Sequence, residues 1–272
     1  MTKHEEIKTM KLYHHLDRIE RRLQLANKTS SSNSPELPTP DSTNKSPLDP
    51  ELLGTLDTLH YFGDEPIQKI QQLITSQRQI SQDSVRMLDI GTGFGGSARL
   101  LAHRTGCHVD ALELQPDLSA VAQQLTERCA LDNRVTHLTG DFLLRAVTAE
   151  RYNVIVGLLS FLHIGQWEEL FARCLKSLAP GGVLYVEDLF QCGGAFSERE
   201  QEMLKDDMSC AELGTKQQLL AALEAAGFTD VQFEDVTEKW APYVITRAEN
   251  VADVFAMGNL GGYTLKARRP LA

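Results

Sequence analysis

Residues 85–102 read Val-Arg-Met-Leu-Asp-Ile-Gly-Thr-Gly-Phe-Gly-Gly-Ser-Ala-Arg-Leu-Leu-Ala, and this stretch decides the fold. Its apolar beginning predicts a buried parallel strand over 85–90, and the pattern after the glycines predicts a helix over 96–105. Glycine accepts positive φ and lets a ligand approach the backbone closely. A strand, a glycine turn and a helix in this order predict a site for a nucleotide-type cofactor.

The glycines by themselves fit more than one kind of cofactor. Gly91, Gly93 and Gly96 match the G-x-G-x-x-G pattern of dinucleotide sites, which would predict a nicotinamide or flavin enzyme. Asp89 stands two residues before the first glycine and favours a different cofactor. A carboxylate there suits a cofactor with an α-ammonium group and is unfavourable beside a pyrophosphate. A glycine turn that binds no ligand is the third interpretation.

The pattern Leu-Asp-Ile-Gly-Thr-Gly-x-Gly-Gly over 88–96 resembles the first motif of class I S-adenosylmethionine-dependent methyltransferases. The resemblance implies S-adenosylmethionine as the cofactor, with the Asp89 carboxylate on its methionine amine. The glycines would make room for the cofactor. The residues implied to contact it in this motif are Asp89, Gly91, Thr92, Gly93 and Gly95.

Predicted strands and helices alternate along the rest of the chain. The predicted strands are 85–90, 107–113, 134–139, 153–158, 182–189, 228–236 and 261–268. The predicted helices are 48–60, 65–79, 96–105, 117–130, 166–179, 198–208, 216–226 and 239–256. This alternation predicts an α/β fold with a doubly wound, mostly parallel sheet. The final pair of strands resembles the seven-stranded, Rossmann-like methyltransferase sheet, which implies an antiparallel last strand.

The composition of the chain divides it into three parts. Residues 1–27 are predicted to form a helical arm with an apolar face, which either packs on the domain or forms a homodimer contact. Residues 28–47 are rich in Ser, Thr, Asn and Pro and are predicted to be a flexible linker. Residues 48–272 are predicted to form the methyltransferase domain, with a lid built from 48–80 and 238–258.

Charge and cysteine content exclude several classes of partner. The net charge of −10 over 272 residues argues against a protein that binds nucleic acid by neutralising phosphates. The five cysteines form no C-x-x-C pair, which predicts reduced thiols in the cytoplasm and neither disulfides nor a zinc site. No apolar run approaches the length of a membrane span, and no His/Asp/Glu cluster has metal-ligand spacing. We therefore expect no nucleic acid, membrane or metal partner.

Further cofactor residues are expected at the ends of later strands. Glu113 follows the glycines by about 20 residues, where an acidic side chain accepts hydrogen bonds from ribose hydroxyls. In the methyltransferase pattern, Asp141 would accept from the adenine amino group and Phe142 would touch the ring. Leu114 would lie on the adenine face, and Gly157 would face the sulfonium. Asp141 could instead be a helix N-cap.

The loop after the fourth strand contains Leu-His-Ile around His163. This resembles a stretch of the phosphoethanolamine and glycine/sarcosine-type N-methyltransferases. The resemblance implies that His163 takes a proton from the acceptor or holds a catalytic tyrosine, for which Tyr61 is the candidate. A histidine that caps the next helix or packs on Trp167 is the alternative. Those enzymes carry an acidic residue at the position of Leu159, so an ethanolamine-type acceptor is in doubt here, and Ser160 is the nearest polar replacement.

The remaining candidates line the expected acceptor pocket. An arginine in the lid would clamp a carboxylate or phosphate of the acceptor. The predicted acceptor-binding residues are Ser160, Trp167, Trp240, Tyr243 and Arg247. The leading hypothesis is a methyltransferase that acts on a small molecule, at nitrogen. The alternatives are S- or O-methylation of a small carboxylate-bearing metabolite, a protein methyltransferase, and a non-catalytic subunit that binds the cofactor.

Overall fold

The computed structural model describes residues 47–53, 58, 60–78, 85–247 and 249–271. The predicted arm and all but the last residue of the predicted linker lie outside these residues. In chain order the helices are α1 (Pro50–Leu53), α2 (Glu65–Arg78), α3 (Gly96–Thr105), α4 (Pro116–Arg128), α5 (Trp167–Ser177), α6 (Glu198–Asp206), α7 (Lys216–Ala226), α8 (Thr237–Arg247) and α9 (Glu249–Ala256). Among the described helices, none has both the length and the apolar character needed to cross a membrane.

The strands are β1 (Arg86–Ile90), β2 (His108–Glu113), β3 (Val135–Thr139), β4 (Tyr152–Leu158), β5 (Leu178–Gln191), β6 (Thr229–Asp235) and β7 (Leu260–Arg268). They form one sheet in the order β3-β2-β1-β4-β5-β7-β6. β1 to β5 pair in parallel. β7 runs antiparallel to both of its neighbours, β5 and β6. The predicted seven-stranded, doubly wound sheet with an antiparallel last strand is confirmed.

Both faces of the sheet are covered by helices. Leu88 of β1 belongs to a core cluster with Leu170 and Phe171 of α5. Its neighbour Met87 belongs to the cluster on the opposite face, with Ile70 of α2. Successive strand residues point to opposite faces, so a strand buried on both sides is apolar throughout. This double burial explains why β1 appears in the sequence as a short, largely apolar run.

The strand order reverses between β1 and β4. The chain runs from β1 outward through β2 to β3, and then returns to build β4 and β5 on the other side of β1. The loops that leave β1 and β4 therefore diverge to opposite faces of the sheet and open a crevice at the carboxyl ends of the strands. Crevices of this kind are the usual ligand sites of open α/β sheets.

A third apolar cluster lies at this end of the sheet. It joins Leu162 in the loop after β4 to Leu189 of β5 and to Trp240 and Val244 of α8. Tyr61, in the turn before α2, packs against the same cluster. Segments far apart in sequence therefore meet over the crevice, in the two regions predicted to form a lid.

Most predicted boundaries lie within two residues of the structure, and three elements differ by more. Helix α1 covers only Pro50–Leu53 of the predicted 48–60, residues 54–57 and 59 lie outside the described part, and residue 60 is not helical. The predicted helix 239–256 is two helices, α8 and α9. β5 begins at Leu178, before the glycine pair that was expected to precede it, because Leu178 already pairs with Tyr152 ahead of a register shift.

Candidate functional site

The glycine turn after β1 is held against β2 by its own backbone. The amides of Gly91 and Thr92 both donate to the carbonyl oxygen of Leu112, at 2.8 and 3.0 Å. The φ angles of Gly91, Gly93 and Gly95 are 76°, 56° and 75°. Residues with a Cβ rarely adopt this region, so the backbone itself requires the glycines at these positions.

Gly91 is also required by a close contact with the loop after β4. A Cβ built on Gly91 would lie 2.4 Å from the Cβ of Ser160. The Ser160 hydroxyl donates to the carbonyl oxygen of Ile90 at 2.6 Å. The turn after β1 and the loop after β4 are thus in direct contact where the strand order reverses.

Asp89 is buried at the end of β1, with 3% of its surface exposed. Its Oδ2 atom accepts from the Thr92 hydroxyl at 2.7 Å. Burial raises the pKa of Asp89 to about 6, the charge of Glu113 adds to the increase, and the Thr92 bond opposes it. A cation beside Asp89 would relieve the cost of burying its charge.

Glu113 is buried at the end of β2 and joins two loops. One carboxylate oxygen accepts from the Gly93 amide at 2.9 Å, and the other accepts from the Gln115 amide at 3.0 Å. Burial raises its pKa, while the amide bonds oppose the increase. A ligand with an ammonium group for Asp89 and hydroxyl donors for Glu113 fits this pair of carboxylates. S-adenosylmethionine has both groups.

The turn after β3 places Asp141 at its start. The Asp141 Oδ1 atom accepts from the Leu143 amide at 2.8 Å, which fixes the carboxylate in an Asx turn. The ring of Phe142 is buried in the core with the Arg173 guanidinium 5.7 Å from its centroid. Leu114 is half-buried after β2. Asp141, which is predicted to contact the adenine amino group, therefore lies at the strand end. Phe142, which is predicted to touch the adenine ring, directs its own ring into the core.

A separate cavity of about 270 Å³ lies beside this turn. It is lined by Leu88, Leu112 and Phe142, and by the polar group of Asp110 with Arg151. The Asp110 carboxylate accepts from Arg151 at 2.8 and 3.0 Å. The Asp110 carboxylate is therefore already paired within the protein.

Arg99 of α3 supports the glycine turn from inside the protein. Its side chain is 1% exposed. One guanidinium nitrogen donates to the carbonyl oxygen of Phe94 at 2.7 Å, and another donates to Ala122 and Thr126 at 3.1 Å each. A Cβ on Gly95 would lie 2.9 Å from this second nitrogen. Arg99 thereby fixes the conformation of the turn between β1 and α3.

The loop after β4 is tightly packed and carries the candidate base. A Cβ on Gly157 would lie 2.3 Å from the ring of Phe161, and Leu159 has a positive φ of 51°. The Nδ1 atom of His163 is 3.2 Å from the carbonyl oxygen of Ser209. A carbonyl oxygen only accepts, so the neutral ring carries its proton on Nδ1 and its lone pair on Nε2.

Four aromatic residues form what we call the aromatic lid: Tyr61, Phe62, Trp240 and Tyr243. The Tyr61 ring centroid is 5.2 Å from that of Trp240 and 5.6 Å from that of Tyr243. Phe62 is 4.8 Å from Tyr243. Burial, with a contribution from the charge of Asp188, raises the pKa of Tyr61 above its usual range. Three predicted site residues, Tyr61, Trp240 and Tyr243, are therefore brought together by the fold.

Two predicted acceptor residues are not placed in this lid. Trp167 is 5% exposed and stacks on Phe171 at 6.2 Å, so its ring belongs to the core under α5. Its helical spacing with Leu170, Phe171 and Cys174 was the signal for this packing. The side chain of Arg247 lies outside the described part of the chain.

Several buried charged side chains were not predicted from the sequence, among them Arg99, Glu187 and Asp188. Glu187 of β5 accepts from Lys69 at 3.2 Å and from the Tyr185 hydroxyl. Asp188 accepts hydrogen bonds from the loop after β4. Two adjacent carboxylates inside an otherwise apolar strand were the available signal, because such a strand retains charges only where they are partnered.

The order and direction of the strands are those of the S-adenosylmethionine-dependent methyltransferase fold. A family model described as a methyltransferase domain matches residues 58–233, and the chain belongs to this family.

The chain is 28% identical over 186 residues to a sarcosine/dimethylglycine N-methyltransferase of Halorhodospira halochloris, which covers 66% of each protein. It is 28% identical over 165 residues to phosphoethanolamine N-methyltransferase 2 of Caenorhabditis elegans, which covers 57% of this chain and 35% of that protein. The chain thus spans less than two thirds of these relatives. Sterol 24-C-methyltransferases also match. Phosphoethanolamine N-methyltransferase 2 of Haemonchus contortus, solved with S-adenosyl-L-methionine, superposes with a TM-score of 0.60 at 22% identity, over 73% of this chain and 52% of that one.

We expect Gly91→Ala to disrupt cofactor binding because its Cβ would meet Ser160. Gly258→Ala is the matched control, since Gly258 has a φ of 84° with nothing within 4 Å of a Cβ. Both variants should lose about 1–2 kcal/mol of unfolding free energy from backbone strain. Gly91→Ala should lose stability beyond this amount, because of the contact with Ser160, and Gly258→Ala should not. In calorimetry, only Gly91→Ala should raise the Kd for S-adenosylhomocysteine, by tenfold or more. Adding Ser160→Gly should recover part of this loss, and an unchanged Kd in Gly91→Ala would contradict the contact.

We expect Arg99→Met to raise the Kd for S-adenosylhomocysteine at least tenfold, because the carbonyl of Phe94 loses its donor. Arg99→Lys should be intermediate, since a lysine keeps the charge without the fork of donors. Arg86→Met, at an exposed position, is the control. Calorimetry well below the unfolding temperature measures the affinity for the cofactor separately from the stability of the fold. A lower melting temperature with unchanged affinity would show that Arg99 only stabilises the fold.

Proposed function

We propose that this protein methylates a nitrogen atom of a small acceptor, in the crevice between the glycine turn and the aromatic lid. The observation that carries the proposal is the loop after β4. Ser160 in this loop contacts Gly91 of the cofactor turn, and His163 follows three residues later. One short segment therefore links the cofactor turn to a side chain able to take a proton. The N-methyltransferases among the relatives support the choice of nitrogen.

The strand ends carry the groups that would hold the cofactor. We propose that Asp89 binds the α-ammonium group, Glu113 the ribose hydroxyls and Asp141 the adenine amino group. Leu114 would lie against the adenine. Gly157 would face the reacting sulfur with its backbone, since the Phe161 ring fills the space beside its Cα. S-adenosylmethionine supplies an activated methyl group on a sulfonium, whose departure leaves a neutral thioether.

His163 is proposed as the general base. An amine acceptor must lose a proton before its lone pair can form the new nitrogen–carbon bond. The Nε2 atom of His163 would accept that proton, and the Nδ1–H bond to Ser209 would orient the ring and stabilise the imidazolium. The carbon–sulfur bond breaks as the nitrogen–carbon bond forms, and its electron pair stays on sulfur.

The aromatic lid is proposed to close over the acceptor. Tyr61 and Tyr243 are half-buried and offer aromatic faces and two hydroxyl groups, which suit a small amine or ammonium group. Trp240 is 2% exposed and would support Tyr61 from below rather than contact the acceptor. Ser160 would add a hydroxyl oxygen that accepts a hydrogen bond, since its proton is donated to Ile90. Arg247 of α8 is proposed to pair with a carboxylate or phosphate of the acceptor. Leu159 supplies no charge where related enzymes place an acidic residue, so the acceptor would be held by aromatic contacts and by its anionic group.

The test is methyl transfer from labelled S-adenosylmethionine to sarcosine, dimethylglycine, glycine and phosphoethanolamine. We expect transfer to at least one of these amines. His163→Gln should lower kcat by about 10²- to 10⁴-fold, the usual contribution of a general base, while the Kd for S-adenosylhomocysteine stays within threefold. His103→Gln, at an exposed position on α3, is the control. Transfer only to thiols, hydroxyls or protein, or full activity of His163→Gln, would overturn the proposal.

The ionisation of Asp89 predicts a pH-dependent affinity. With a pKa of about 6, the carboxyl is mostly ionised at pH 7 and about one-tenth ionised at pH 5. The Kd for S-adenosylhomocysteine should therefore rise about tenfold from pH 7 to pH 5. Asp89→Asn should bind weakly at both pH values.

The stability of the free protein should respond in the opposite direction. The pKa of Asp89 is higher in the folded than in the unfolded state, so its ionisation destabilises the free protein as pH rises through that range. Asp89→Asn should then have a melting temperature at pH 7 no lower than that of the wild type. Wild-type affinity in Asp89→Asn would contradict the assignment.

A further inference from the structure

Asp188 is a fully buried carboxylate on β5, with no exposed surface. Its Oδ2 atom accepts from the backbone amides of Ser160, Phe161 and Leu162, at 3.1, 2.7 and 3.3 Å. Its Oδ1 atom accepts from the amide of Leu189 at 2.7 Å. Three consecutive amides of the loop after β4 thus converge on one carboxylate oxygen, as they do on anions bound in backbone nests.

The surroundings of Asp188 contain titratable groups that stay neutral. Tyr263 is its cross-strand partner on β7, and the charge of Asp188 raises the pKa of Tyr263, of Tyr61 before α2 and of Cys210 after α6. Burial is the larger cause in all three, and it raises the pKa of the Cys210 thiol to about 12. Over the described ranges, no lysine, arginine or histidine forms an ion pair with Asp188. The backbone amides of the loop after β4 are therefore the main groups that stabilise the charge of Asp188.

The anchored loop has two contacts that matter for the reaction. Ser160, at its start, packs on Gly91 and bonds to Ile90. His163, at its end, follows the last of the three anchored amides and bonds to Ser209. Releasing the amides would free both contacts at once.

We propose that Asp188 is a positioning residue for methyl transfer, whose ionised carboxylate holds the loop after β4 so that Ser160 meets the cofactor turn and His163 is presented to the acceptor. The role of His163 in this statement rests on the proposed function. The anchoring of the loop does not depend on it. The Asp188 carboxylate must be ionised for this role, because an ionised oxygen makes shorter and stronger hydrogen bonds than a neutral one. One of its oxygens must accept hydrogen bonds from three amides.

Protonation of Asp188 would weaken the anchor. Burial raises the pKa of Asp188 to about 7, and the four amide bonds oppose the increase. The carboxylate form, and with it the anchored loop, is therefore lost as pH falls below about 7. Because Tyr61, Tyr263 and Cys210 remain neutral throughout this range, their charges do not change in the same window.

The direct test is the pH dependence of the backbone amide NMR signals of Ser160, Phe161 and Leu162 in the free protein. We expect the three signals to move together with one midpoint near pH 7. The same titration should persist in His163→Gln, which excludes the imidazole as its source, and should vanish in Asp188→Asn. Hydrogen exchange of these amides should be about tenfold faster or more in Asp188→Asn.

Glu187→Gln is the matched control, because it neutralises the adjacent buried carboxylate, whose side chain bonds to Lys69 and Tyr185 instead. It should leave the amide titration in place. With an amine acceptor, Asp188→Asn should lower kcat at least tenfold, and it should also raise the Kd for S-adenosylhomocysteine, because Ser160 is no longer held against Gly91. Amides that do not titrate in the wild type, or that titrate in Asp188→Asn, would overturn the proposal even if that variant were unstable. If His163 proves not to be the general base, the amide titration should still be observed. Failure of the proposed function can therefore be distinguished from failure of this proposal.

Discussion

Carboxylates buried near the carboxyl ends of the strands constrain three of the loops around the crevice. Asp89, Glu113 and Asp188 are each at most 7% exposed, and a buried charge is tolerated only where hydrogen-bond donors surround it. The donors come from the glycine turn, from the loop after β2 and from the loop after β4. The same bonds that stabilise the charges therefore fix the loops. The pKa values of Asp89 and Glu113 remain raised, so the ionisation of these carboxyl groups destabilises the free protein. A ligand with a cationic group and hydroxyl groups would restore this stability by binding to them.

Most of the fold could be predicted from the sequence, because the apolar positions of most strands and helices are also the positions that the structure buries. Strands β1, β2 and β4 are largely apolar and closed by turn residues, and each is buried on both faces. The extent of β5 was not predictable, because pairing of Leu178 with Tyr152 overrides the local preference of Pro180 and Gly181 for a turn. Tertiary pairing, rather than propensity, decided where this strand begins.

The site was predictable where backbone conformation demands a residue type. Gly91 is necessary both for its φ and for its contact with Ser160, and the motif shows the first requirement. The contact partner lies 69 residues away and is set by the strand order. Arg99 reads in sequence as one polar residue of an amphipathic helix, and only the packing of α4 against the turn shows it to be buried. Trp167 was an aromatic residue beside a predicted catalytic loop, but its helix directs it to the core.

The most direct test of the central claim is a crystal structure of the protein with S-adenosylhomocysteine. We expect the methionine amine on the Asp89 carboxylate and the ribose hydroxyls on Glu113. We also expect the adenine at Asp141, with the turn between Gly91 and Gly95 little changed from the free protein. Electron density for the adenosyl group elsewhere would contradict this account. The cavity lined by Leu88 and Arg151 is one such place, and a ligand there would show that the buried carboxylates serve another purpose.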